Sequence, residues 1–139
     1  MGFFTDIVVV SPKEAKQVSR HASPTEKWPG CEAKSLDQVT FGTLYGILAG
    51  DPEADIDFED ISSSGKGAWV SRFPETFVEC LTEYAPKDFL RVAKKWSKTE
   101  ELRGLYEAAD LRDLIQEVWH LAHQAQGEGK WLLLCTSGA

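Results

Sequence analysis

The sequence predicts an α+β fold, a small sheet of about three strands packed with about five helices, as a single domain over residues 1–139. Three observations predict it. The apolar runs Phe3–Val10 and Lys130–Thr136 near the two ends hold consecutive valines or leucines, as strands buried on both faces do. Between them, apolar residues recur at helical spacing in several segments. The chain has 139 residues, 42% hydrophobic and 27% charged. That is enough for one core that needs neither a disulfide nor a metal to hold it.

Phe3–Val10 ends in three valines and reads as a central strand. Ser11 can then cap a helix, Pro12 fits its first turn and Glu14 completes a capping box, so a short helix is expected to about His21. Ser23–Ser35 contains Pro24, Trp28, Pro29 and Gly30 and reads as loop. Asp37 caps a helix through Ala49, which Gly50 ends, with Phe41, Leu44, Tyr45 and Leu48 at helical spacing. Gly42 and Gly46, four residues apart, each cost about 1 kcal/mol relative to alanine. They share one side of that helix, where another backbone can come close.

Asp51–Asp60 carries six acids, Asp51, Glu53, Asp55, Asp57, Glu59 and Asp60, with no balancing base. With Ser62–Gly67 it reads as the longest irregular stretch. Ala68–Phe73 reads as a second strand. Pro74 stands at the start of a helix that buries Phe77, Cys80, Leu81 and Tyr84. Pro86 opens another, with Phe89, Leu90, Ala93 and Trp96 turned inward. A short helix is expected over Glu100–Tyr106. The longest, Leu111–Gln126, is capped by Asp110, striped by Leu114, Ile115, Val118, Ala122 and Ala125, and ended by Gly127 and Gly129. Lys130–Thr136 closes the chain as a strand.

The formal net charge of −7 disfavours nucleic acid and anionic membrane surfaces, and suits solubility or a basic protein partner. The three cysteines, Cys31, Cys80 and Cys135, are widely spaced and contain no CxxC pair. Cys80 and Cys135 read as small core residues, which points to a reducing compartment. The first residues lack a basic leader, and no stretch approaches the roughly 20 apolar residues of a membrane helix. A cytoplasmic setting is the expectation.

The chain starts Met1-Gly2 and enters a strand. Leu36-Asp37 then leads into the helix that ends Ile47-Leu48-Ala49-Gly50, and the long last helix passes through Gly129 into a closing strand. This layout resembles the YfbM-like family of small bacterial proteins of unknown function. The family pattern has histidine where this chain has Tyr45 and threonine where it has Ala49. The resemblance implies an α+β fold in a bacterial cytoplasm, and implies no activity, catalytic residue or cofactor.

Individual motifs point to little chemistry. Ser64-Gly65-Lys66-Gly67 ends like a phosphate-binding loop, but Asp60 and Gly67 stand where that loop needs glycine and Ser or Thr. Asp55-Ile56-Asp57-Phe58-Glu59 alternates as calcium ligands do, without the central glycine, so a solvated loop is the preferred reading. Glu117, His120 and His123 are spaced like part of a carboxylate-bridged metal site, which needs two copies. One copy exists, and His120 falls opposite the apolar stripe, so surface histidines are expected. Cys31 with His21 lacks any residue to orient a nucleophile pair. Arg91, Lys94, Lys95 and Lys98 read as a solvated basic face. Of the tryptophans Trp28, Trp69, Trp96, Trp119 and Trp131, most read as core. Trp28 in its loop and Trp119 beside its stripe are the candidates for exposure.

The expectation is therefore a non-catalytic protein-interaction domain, compatible with an adaptor or toxin-neutralising role or with a homo-oligomer, needing no cofactor or metal. The alternative is a small-molecule-binding domain or enzyme with a pocket near Trp28 and Tyr45. The candidate binding residues are Trp28, Tyr45 and Trp119.

Overall fold

The structure is a computed structural model that describes residues 2–63 and 68–138. Its strands are β1 (Phe4–Val10), β2 (Gly30–Lys34), β3 (Glu59–Ser63), β4 (Trp69–Arg72) and β5 (Trp131–Ser137). Its α-helices are α1 (Gln38–Ala49), α2 (Glu75–Thr82), α3 (Phe89–Ser97) and α4 (Ala108–Glu128). Three 3-10 segments, Pro12–Arg20, Pro24–Glu26 and Pro86–Asp88, complete the order.

The class is α+β, but the expected sheet of about three strands is corrected to one of five, in the order β2-β1-β5-β4-β3. Every pairing is antiparallel. The two unforeseen strands are the edges. Strand β2 buries only Cys31, and β3 buries no residue fully. Neither carries an apolar pattern of its own, so pairing with a neighbour decides their structure. Both edges are blunted against further pairing. The Tyr106 hydroxyl donates to the Lys34 carbonyl at 2.6 Å and accepts the Lys34 N–H at 3.0 Å. Strand β3 is acidic and its register shifts between Asp60 and Ser62.

Strands β1 and β5 lie centrally and are buried on both faces, as their valine and leucine runs require. Ile7, Val9, Leu132 and Leu134 face the helical layer. There Phe41, Phe73, Phe77 and Trp96 form the aromatic centre, with Phe73–Phe77 and Phe41–Phe73 centroids 4.8 and 5.1 Å apart. Val8, Val10, Leu133 and Cys135 face the other way, under Ala15, Val18 and Trp28.

Three local expectations are also corrected. The segment after Ser11 is a 3-10 helix, and the Ser11 hydroxyl meets the Glu14 carboxylate at 3.2 Å instead of capping a backbone N–H. Residues 100–105 form turns and Tyr106 is irregular, and Gly104 takes a left-handed φ of 81° that a helix cannot continue. Helix α4 starts at Ala108, ahead of Asp110, with Glu107 as its N-cap residue. Among the described residues, no helix is long and apolar enough to cross a membrane.

Candidate functional site

Helix α1 has a complete capping box: the Asp37 side chain accepts the Thr40 N–H at 3.0 Å, and the Thr40 hydroxyl accepts the Asp37 N–H at 2.8 Å. Gly50 closes the helix in a left-handed conformation, φ 69°. That reversal folds residues 51–58 back along the helix. The Asp51 N–H donates to the Gly46 carbonyl at 3.0 Å, and a Cβ on Gly46 would stand 3.2 Å from the Asp51 oxygen. Gly46 thus meets the expected close backbone approach. Gly42 does not, since a Cβ there would have nothing within 4 Å.

The returning loop alternates. Asp51, Glu53, Asp55 and Asp57 are exposed, while Ile56 and Phe58 pack on the core, Phe58 at 5.0 Å from Phe73. Two aspartates fix the backbone. Asp51 accepts the Glu53 N–H at 2.9 Å, and Asp55 accepts the Ile56 N–H at 3.0 Å.

Between the loop, α1 and the end of α3 lies a groove of about 760 Å³, within the range of small-molecule sites. Gly42 and Gly46 form its floor, Val39, Ile47, Ile56 and Phe58 give it apolar walls, and Gln38, Thr43 and Thr99 give it uncharged polar groups. Its charged groups have opposite signs on opposite lips: Asp51 and Asp55 on the loop, Lys95 on α3. Lys95 makes no ion pair among the described residues. The lining holds no histidine or cysteine.

The apolar surface continues past the groove. Val39, 61% exposed, also borders a hollow of about 310 Å³ beside Trp69, which is 48% exposed. The Trp69 indole N–H donates to Asp60 at 2.9 Å, which holds the ring in place at the surface.

The sequence candidates lie elsewhere. Trp28 is buried beneath the second sheet face, with His21 edge-on at 5.0 Å and the Lys27 ammonium 4.9 Å from its ring. Tyr45 is half-buried in the helical layer, 6.5 Å from Phe77. These two belong to cores on opposite faces of the sheet, so they share no pocket. Trp119 is half-buried on α4, between Phe89 at 6.1 Å and His123 at 4.4 Å, and its indole N–H donates to the Tyr84 carbonyl at 3.2 Å. None of the three lines the groove.

Cys31, expected in a loop, is buried on β2 and faces the helical layer, away from His21. Burial, with the Glu117 carboxylate beside it, pushes its thiol up to about 12. Burial does the same to Cys135. Both thiols are poor nucleophiles at neutral pH. His120 and His123 are exposed and flank Trp119. Among the described residues, no three His, Cys, Asp or Glu side chains converge as metal ligands. Ser64–Gly67 lies outside the described residues. The one signal for the groove in the sequence was the Gly42/Gly46 spacing; nothing local marked Val39, Ile56 or Trp69.

No protein-family model, curated protein or solved structure matches this chain.

Proposed function

We propose that this chain is a non-catalytic interaction domain that docks a partner protein along the α1 groove. The observation that carries this reading is the open groove itself, floored by Gly42 and continued by the exposed Val39 and Trp69. Its shape suits a segment of polypeptide better than a compact metabolite, because the apolar strip runs on beyond the groove's end. Exposed tryptophan is a residue type enriched at interface hot spots.

The occupant is a segment that carries apolar side chains toward Val39, Ile47 and Ile56 and a lysine or arginine toward the Asp51–Asp57 lip. Charge complementarity argues for the base: four exposed acids border the loop side, and the chain's net charge is −7. The same charge weighs against nucleic acid and anionic membrane as partners. A cytoplasmic, bacterial setting and an adaptor or neutralising role belong to the same proposal.

The test compares wild type with Gly42→Leu and Asp55→Lys as bait in a lysate of the source organism, read by quantitative mass spectrometry, with melting curves for all three. Gly42→Leu puts a side chain into open groove space and gains about 1 kcal/mol of helix propensity. It is expected to melt no lower than wild type, yet to lose a stoichiometric protein that wild type retains. Asp55→Lys is expected to weaken the same capture. Retention of that protein by a folded Gly42→Leu variant sinks the proposal.

A further inference from the structure

The alternation of β1 sends Phe4, Asp6, Val8 and Val10 to the second face of the sheet. The 3-10 segment Pro12–Arg20 covers Val8 and Val10 but leaves the Phe4–Asp6 end open. A pocket of about 380 Å³ results, lined by Phe4, Asp6, Val18, Arg20, His21 and Cys135 among others. It lies on the opposite side of the sheet from the α1 groove.

Two charges of opposite sign line this pocket and do not meet. The Asp6 carboxyl is half-buried, and no hydrogen bond among the described residues reaches it. Its cross-strand neighbours are Glu32, a like charge, and Cys135, a buried thiol. Burial first, and Glu32 second, push its pKa up to about 6. Arg20 is exposed at the mouth and makes no ion pair among the described residues. A partly buried carboxyl without a partner lowers stability, a pattern found where a site is kept for a ligand.

We infer that this pocket binds a small zwitterion, its ammonium against Asp6, its carboxylate against Arg20 and its apolar body on Phe4, Val18 and Cys135. A ligand with only a positive charge meets Arg20 unfavourably, and one with only a negative charge meets Asp6 and Glu32. The pocket therefore selects for both charges on one molecule. Its volume of about 380 Å³, at the lower end of ligand sites, admits a small molecule such as an amino acid.

The test is an amide chemical-shift titration at pH 7.5 with two zwitterions, leucine and 6-aminohexanoate, and two single-charge probes, hexylamine and hexanoate. Wild type, Asp6→Asn, Arg20→Gln and Gly42→Leu are compared. Asp6→Asn keeps side-chain size, Arg20→Gln removes the charge from an exposed side chain and shortens it, and Gly42→Leu alters only the α1 groove. The expected result is saturable shifts on β1, β5 and residues 18–21 with at least one zwitterion, and affinity at least about ten-fold weaker for both single-charge probes. Asp6→Asn and Arg20→Gln should each lose about ten-fold, while Gly42→Leu binds as wild type does. Absence of saturable binding by either zwitterion overturns the inference. So does a single-charge probe that binds as tightly as the zwitterion, or affinity unchanged in Asp6→Asn. Because Gly42→Leu should bind here as wild type does, failure of the α1 proposal and failure of this one are separate outcomes.

Discussion

Asp6 couples charge to stability. Its pKa is about 6 in the folded chain against 3.8 as an ordinary carboxyl. The folded state therefore holds the proton more tightly, and its contribution to stability is full below about 3.8 and lost as pH rises through about 6. Asp6→Asn removes the charge and keeps the shape. It is expected to raise unfolding free energy at pH 7.5 by about 1 kcal/mol, a figure discounted for the exposed half of the carboxyl. At pH 4 the gain should vanish; urea denaturation at the two pH values checks both. Trp119 makes a different case. Its indole is pinned to the Tyr84 carbonyl and wedged against Phe89 and His123, so it packs α4 instead of presenting a free face. Trp119→Ala should cost about 2–3 kcal/mol, less than for a fully buried ring, and lower the thermal midpoint accordingly. The two groove glycines also part company. Gly46→Ala must push the Asp51 backbone and should destabilise, whereas Gly42→Ala meets open space and should stabilise by about 1 kcal/mol. Differential scanning calorimetry of the pair reads the contrast.

Helix α1 was legible in the sequence because everything that defines it is local: Asp37 as cap, Gly50 as stop, and an apolar repeat between them. Its cap contributes directly, and Asp37→Ala should cost about 1 kcal/mol in chemical denaturation by freeing the Thr40 N–H. The helix is also tied from outside, since the Trp96 indole donates to the Thr40 carbonyl at 3.0 Å. Strands β1, β4 and β5 and helices α2 to α4 were legible for the same reason, each carrying its own period or run. The edges were not. Gly30–Lys34 and Glu59–Ser63 have too few apolar residues to show a period, and exist as strands because β1 and β4 offer them hydrogen bonds. The Ser11 segment misled in the opposite sense: its residues suit a capping box, but the Ser11 hydroxyl turned to the Glu14 carboxylate. At Gly104 a left-handed residue stops what the spacing would have continued.

The molecule is asymmetric about its sheet. One face carries four α-helices over a continuous aromatic core, and the other carries a 3-10 segment that covers only part of it. Each candidate site arises from that layout. The groove forms where a loop returns along α1 toward α3, joining residues 38–58 to residues 95–99. The pocket forms where the second face is left open. Beyond the Gly42/Gly46 spacing neither was readable from the chain, because each unites segments far apart in sequence, whereas the candidates Trp28 and Tyr45 fell on opposite faces. The α1 groove is the proposed seat of a partner protein. Amide hydrogen exchange on the complex with a captured partner is the test of that placement. Slowed exchange is expected over residues 39–47 and 51–58, with the second sheet face unchanged. Protection confined to the second face, or to α4 around Trp119, would contradict it.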